Sequence, residues 1–382
     1  MSKDVFTAVG VGAEVGRVLG RLSRVVARKS TLPSLSCVKL WVDDSGSDLW
    51  AATSSLDQWY EAKLPVELQN GEPGAGCLVR IDLLASLLSQ CNGDGVEMIS
   101  GDGQISLNLQ GRKATIQTLP VSEFPGGPDV SAAEASVTKI DGTAIAAALN
   151  RVAFAVSKEE TRYILNGALF SEECDAVVAT DGRRLAMVKV DLPECLRDVV
   201  LPTPSLGVFA DLWGRSDSCT VFAVDNGVGI QGEDEMVWTK KIEGRYPNWQ
   251  QVIPAYEDFA AVKMDREVFE ESLRWVGAVG NATEKERGRT ATMRLEDSAL
   301  MVSTRAVEVG ESEERVPLSD PPQGSLQVAA SMDFLREMSN ASGEDSLVLR
   351  MDPGSDGKVM SPIVCESSDG KFIGIVMPMR VA

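Results

Sequence analysis

The chain contains no histidine. That absence removes Ser-His-Asp and Cys-His nucleophile systems, every imidazole-bearing metal site and the usual general base near neutral pH. The seven cysteines (Cys37, Cys77, Cys91, Cys174, Cys195, Cys219 and Cys365) are scattered and never spaced C-x-x-C. Neither a metal cluster nor a disulfide framework is expected, and reduced, mostly buried thiols in a cytoplasmic protein are the simpler reading. No uninterrupted run of about 18 apolar residues occurs, and the first residues lack a basic region followed by an apolar stretch. The expectation is a soluble, unexported protein. Positive charge is also short: 37 Lys and Arg stand against 56 Asp and Glu, a formal net charge of -19. Any nucleic-acid contact must therefore use a local basic surface rather than overall attraction.

What is present is ordinary globular material, with 44% hydrophobic and 24% charged residues over 382 positions. At roughly 100 to 200 residues per domain, that length predicts two to four domains. One order of segments recurs three times at a period of about 125 residues, the size of a whole domain. An amphipathic helix opens each copy, at Ala13 to Ala27, Thr143 to Val156 and Arg266 to Val279, with apolar residues at steps of three and four. Strands follow, such as Cys37 to Val42, Ala168 to Phe170 with Val177 to Ala179, and Thr292 to Leu295 with Ala299 to Ser303. A shorter helix returns near Ile81, Pro204 and Met332, and paired strands close each copy. The fold class is α+β, with three tandem domains of one design at 1–128, 129–257 and 258–382, each placing two helices against two antiparallel sheets.

Within the first helix, Arg17, Arg21, Arg24 and Arg28 lie at steps of four, three and four, which puts them on one stripe opposite Val15, Val18, Leu22 and Val25. A solvated basic face is the plain alternative. In a strongly acidic chain, four aligned arginines with no acid among them are less easily incidental, so a contact with phosphates stands beside that plain reading.

Several segments then carry a resemblance. STLPSLSCVKL (Ser30 to Leu40), TLPVSEFP (Thr118 to Pro125), TRYILNGALF (Thr161 to Phe170), ATDGRRLA (Ala179 to Ala186), GRYPNWQQVIP (Gly244 to Pro254) and VMPMRV (Val376 to Val381) resemble the bacterial DNA polymerase III β sliding clamps, in that family's order and spacing. The resemblance implies a head-to-tail homodimer closed into a ring, helices lining the hole and sheets outside. It adds Lys29 and Tyr163 to the DNA-facing positions. It also maps a groove for partner peptides onto Arg162, Leu165, Thr180, Gly182, Arg183, Arg184 and Leu185, together with Pro247, Val252, Ser361, Met377, Pro378, Met379 and Arg380. The chemistry is suitable: Leu, Val, Pro and Met offer an apolar slot, and unbranched methionines can repack around different ligands. A C-terminal strand with two methionines is also ordinary core material, and it is the joint match of separated segments that favours the groove.

The resemblance places the subunit contact on Arg112, Lys113 and Ile116 of one edge and Glu308, Glu311, Glu313 and Glu314 of the other, which carry opposite charges. Implied partners are double-stranded DNA, a polymerase catalytic subunit, a clamp-loader ATPase, and other replication and repair proteins, with no membrane. The location implied is cytoplasmic, about the nucleoid. Departures are visible: Gln251 stands where arginine is common in the family, Glu159 and Glu160 precede Arg162, and the third opening helix carries Glu267, Glu270 and Glu271.

An enzyme is not expected. Gly10, Gly12 and Gly16 are spaced G-x-G-x-x-x-G, one residue off a dinucleotide fingerprint, and the region where an acidic ribose ligand belongs is basic. Thr180-Asp181-Gly182 reads as a turn, with Arg183 and Arg184 beside it. No nucleophile, base and electrophile come together, and no cofactor is implied. The alternative is a clamp paralogue, or a peptide-binding, self-assembling protein, that no longer encircles DNA.

Overall fold

The structure is a computed structural model that describes residues 5–27, 30–91, 93, 95–130, 138–140, 142–215, 218–224, 226–280, 289–306, 309–322, 325–354 and 359–379. Six α-helices punctuate the described chain: α1 (Gly12–Leu22), α2 (Ile81–Leu88), α3 (Thr143–Val152), α4 (Thr203–Arg215), α5 (Arg266–Gly280) and α6 (Met332–Ser342). A strand runs into each of them, and three antiparallel strands follow each. This strand-helix-three-strand unit occurs six times, with Val66–Gly71 as one extra strand in the first. Each copy therefore closes on three strands rather than a pair, for example Gly95–Gly101, Gln104–Leu109 and Arg112–Gln117.

The helices exist because one stripe of each is apolar. In α1, Val15, Val18, Leu19 and Leu22 are buried while Glu14 and Arg17 face water. Each such aliphatic side chain contributes about 1.5–3 kcal/mol on burial. α1 is shorter than its hydrophobic pattern predicts. The Thr53 hydroxyl donates to the Leu22 carbonyl at 2.8 Å, and the Arg24 and Val25 amides turn back to Arg21 and Leu22 with the tighter three-residue spacing. The helix thus stops at Leu22, and Arg24 lies in the turn beyond it.

By contacts the chain forms two compact units. The first comprises 1–143, 193–196 and 207–241 and holds two sheets. One has five strands, in the order Val66–Gly71, Phe6–Val11, Gly95–Gly101, Gln104–Leu109, Arg112–Gln117. The other has eight, and joins strands of the first sequence repeat to strands of the second where Gln58–Lys63 pairs with Glu235–Lys240, Trp59 opposite Trp238. Gly10 of the glycine-rich segment has a packing reason: a Cβ there would lie 2.7 Å from Val66 Cγ1 and 2.8 Å from the Pro65 carbonyl.

The second unit comprises 144–192, 197–206 and 242–382 and is built on one twelve-stranded sheet. Here Arg184–Lys189 pairs with Phe372–Val376, Leu185 opposite Ile375. Leu165, Leu169, Leu185, Tyr246, Trp249 and Ile375 form the apolar cluster beneath the candidate site.

Candidate functional site

The first part of the site is a turn. Strands Ala176–Thr180 and Arg184–Lys189 pair with Thr180 opposite Leu185, so the chain must reverse within Asp181, Gly182 and Arg183. The Asp181 carboxylate accepts from the Arg183 and Arg184 amides at 2.8 and 3.0 Å, as an Asx turn does. Gly182 adopts φ +84°, a left-handed conformation that glycine reaches at little cost. Arg162 donates to the Asp181 carbonyl at 3.0 Å, and a Cβ on Gly182 would lie 2.8 Å from Arg162 Nη1. Glu159 pairs with both Arg162 (3.1 Å) and Arg183 (3.4 Å). The turn therefore gathers Arg162, Thr180, Gly182, Arg183 and Arg184.

Arg184 is the exception in exposure. It is 7% exposed, ion-paired to Asp181 at 3.0 Å and to Glu337, and lies over the rings of Phe334 and Phe154. It braces the wall rather than presenting donors to solvent.

The second part is the segment after the last strand. The Met377 amide donates to the Arg183 carbonyl at 2.9 Å and the Met379 amide to the Ala329 carbonyl at 2.7 Å. These bonds hold the backbone while the thioether side chains stay partly open, at 38% and 37% exposure. Arg183, Met377, Pro378 and Met379 line a cleft of about 490 Å³. Its other wall is Arg289, Ser331, Asp333 and Phe334, none of which sequence reasoning singled out. The available signal was the strand-to-helix junction before α6, where the Ser331 hydroxyl caps the Phe334 amide.

Other predicted groove residues lie elsewhere. Leu165 and Leu185 are buried in the apolar cluster. Pro247 is exposed and lines a separate hollow of about 770 Å³ with Tyr246 and Trp249. Val252 is 39% exposed, and Ser361 donates to Asp352 at 3.3 Å. Arg380 lies outside the described residues. Burial drives the Tyr246 phenol above its ordinary range, so the hydroxyl stays protonated at any physiological pH.

The arginine stripe of the first unit is only partly free. Arg17 is exposed. Arg21 pairs with Glu235 at 2.5 Å, and Arg24, already off the helix, pairs with Asp211. Arg28 and Lys29 lie outside the described residues. Glu235 also accepts from Arg215 at 3.0 Å and from the Tyr60 hydroxyl at 2.7 Å. Burial works against its charge, but those hydrogen bonds and the two guanidinium groups hold its carboxyl below the ordinary value of 4.5. Burial and the Glu235 charge push Tyr60 up to about 12. In the second unit Tyr163 is 60% exposed.

The two charged edges are built as edges. Arg112–Gln117 ends the five-stranded sheet, with Arg112 and Lys113 exposed and Ile116 9% exposed. Gly310–Asp320 pairs along its length with Ala299–Ala306, but meets Ala260–Asp265 only through Leu318 and Asp320. Its first residues therefore keep one flank clear of any strand ladder among the described residues, and Glu311 and Glu313 are exposed there. Glu314 is half-buried with one carboxylate oxygen unpaired among the described residues, and Glu308 lies outside them.

Burial raises the Cys365 thiol to about 12, which makes it inert as a nucleophile. Among the described residues no group of His, Cys, Asp or Glu is arranged to hold a metal, and no helix is long and apolar enough to cross a membrane.

Residues 139–248 match the family described as DNA polymerase III beta subunit, central domain. The chain is 25% identical over 369 residues to the beta sliding clamp of Pseudomonas aeruginosa, covering 94% of this chain and 95% of that one. It is 25% identical over 386 residues to the beta sliding clamp of Rickettsia felis, covering 95% and 96%. Among solved structures, the C. crescentus beta sliding clamp superimposes with a TM-score of 0.85 at 20% identity, covering 100% of both chains. A Bartonella birtlesii DnaN sliding clamp bound to griselimycin gives 0.86 at 21% identity, covering 99% of this chain and 100% of that one.

Proposed function

We propose that this chain, which is similar along its length to the bacterial β sliding clamps, is a DNA sliding clamp: a non-catalytic ring that encircles duplex DNA and tethers a polymerase to it. The observation that carries the reading is likeness over the whole chain, in sequence over 94% and in fold over 100% of its length. In this reading the segments 1–128, 129–257 and 258–382 are three clamp domains, each supplying two of the six strand-helix-strand units. Two chains close head to tail, the Arg112 and Lys113 edge of one meeting the Glu311 and Glu313 edge of the other, which hides exposed strand backbone as well as pairing charge.

Arg17, Arg21, Arg24, Arg28, Lys29 and Tyr163 face DNA and touch only its backbone. Phosphate contacts carry no base identity, so movement along the duplex breaks no specific bond. The cleft beside Met377 and Met379 takes a short extended peptide with Leu or Phe anchors. Two anchors at about 1.5–3 kcal/mol each contribute about 3–6 kcal/mol before the cost of ordering, which corresponds to affinity no tighter than roughly tens of micromolar, weak enough for partners to exchange. Partners that share the cleft are the polymerase catalytic subunit, a clamp-loader ATPase and other replication and repair proteins, in the cytoplasm at the nucleoid. The tether raises the polymerase's local concentration at the primer end.

The test is topological. Loaded by a clamp-loader ATPase onto nicked circular DNA, the protein should stay bound in high salt and be released when the circle is cut. One observation favours a second reading, a paralogue that binds partners without encircling DNA: Arg21 and Arg24 are already paired to Glu235 and Asp211. Failure to be retained on the closed circle, with dimer formation and peptide binding intact, would support it.

A further inference from the structure

The cleft beside Met377 and Met379 does not end in an apolar wall. It shares Arg289 and Asp333 with a smaller hollow of about 110 Å³ between α5 and α6, which Arg274 and Arg336 also line. Three arginines and one carboxylate thus line the hollow, in a chain whose net charge is -19. Asp333 does not use up their donors: it stands 4.0 Å from Arg289 and 3.6 Å from Arg336, too far for good hydrogen bonds. Arg274 reaches only the Glu270 carbonyl, at 3.4 Å, and has no carboxylate partner among the described residues. The first turn of α6 adds the positive end of a helix dipole.

We propose that this hollow receives the carboxylate side chain of an Asp or Glu in the partner segment whose apolar anchor lies against Met377 and Met379. The inference rests on the partner-cleft reading and deepens it, by making the preferred ligand an acidic as well as an apolar peptide. A carboxylate suits the site because guanidinium donors grip it through two parallel bonds. The adjoining wall of Phe334, Met377 and Met379 fits a peptide's apolar side chain and offers nothing to a nucleic-acid backbone. A volume of about 110 Å³ admits a short side chain, whereas a duplex phosphodiester carries a sugar on either side.

Fluorescence anisotropy with the full-length protein tests this, using labelled nonapeptides with Leu and Phe anchors and either Glu or Gln at each of several flanking positions. In one register the Glu form should bind about tenfold tighter than the Gln form. The double variant R274Q/R336Q should abolish that difference and leave Gln-form affinity unchanged, because neither residue lines the apolar cleft. R274K/R336K, which keeps charge but not the planar fork, should retain part of the preference and serves if the first variant does not fold. Equal affinities in every register, or a preference that survives R274Q/R336Q, would overturn the proposal while leaving the cleft reading intact. Absence of binding by either form would remove the cleft reading and this proposal with it. Displacement of the Glu form by a short DNA duplex as readily as by unlabelled peptide would assign the hollow to phosphate instead.

Discussion

The guanidinium carbon of Arg184 lies 4.2 Å from the centroid of the Phe334 ring, and the same group pairs with Glu337 one turn further along α6. A wall of the cleft beside Met377 and Met379 is thus held by a buried cation rather than by aliphatic packing. Arg184→Met should destabilise the protein by about 3 kcal/mol, since Asp181 and Glu337 would lose their shared partner. Arg184→Lys, which keeps the charge but loses the fork and the stacking, should cost about half as much. Urea unfolding reads both, and peptide affinity should fall in the same order.

Glu235 offers a pH test. Its folded carboxyl is held below its ordinary value, so its stabilising contribution is complete above about pH 4.5 and fades as the pH falls through the lower folded value. Glu235→Gln should therefore cost about 1–2 kcal/mol at pH 7, a figure discounted for the partial exposure of Arg21 and Arg215. The gap between variant and parent should close in acid. A gap that stays constant from pH 7 to pH 3 would contradict this account.

Met377 and Met379 are anchored by backbone bonds and open at their side chains, which separates binding from folding. Met377→Ala and Met379→Ala should each weaken an apolar peptide by roughly fivefold, about 1 kcal/mol, with a change in unfolding midpoint too small to measure. Calorimetric titration beside a thermal melt distinguishes the two effects.

Reversing charge on one sheet edge should show in mass. Arg112→Glu with Lys113→Glu places like charges opposite Glu311 and Glu313 in the proposed dimer, so sedimentation should report monomers where the parent is dimeric. Restoration of the dimer by Glu311→Lys with Glu313→Lys would identify the partner edge.

Much of the fold was legible because periodicity and turn chemistry are local. Cys37–Val42 and the turn at Asp181 and Gly182 were readable from a handful of residues each. The end of α1 was not, because it depends on a hydroxyl 31 positions away, that of Thr53. Burial is non-local in the same way: Leu165 and Leu185 share an apolar cluster with Tyr246 and Trp249, which lie more than sixty positions away in the chain. The acidic partners of Arg21 and Arg24 come from 235 and 211, so a stripe that is uninterrupted in sequence is partly neutralised in space. Phe334 and Asp333 escaped notice because nothing in their own segment marks them; they matter only beside Met377 and Met379.

The pairing of Arg184–Lys189 with Phe372–Val376 sets Met187 opposite Ile373. A ribosome adding about 5–20 residues per second needs roughly 10–40 s to cover that separation. Throughout that interval Arg184–Lys189 has an unsatisfied flank, open to any extended strand nearby, including one from a neighbouring nascent chain. Completion of this unit waits on Phe372–Val376, so a chain that stops before that strand would carry an adhesive edge along Arg184–Lys189.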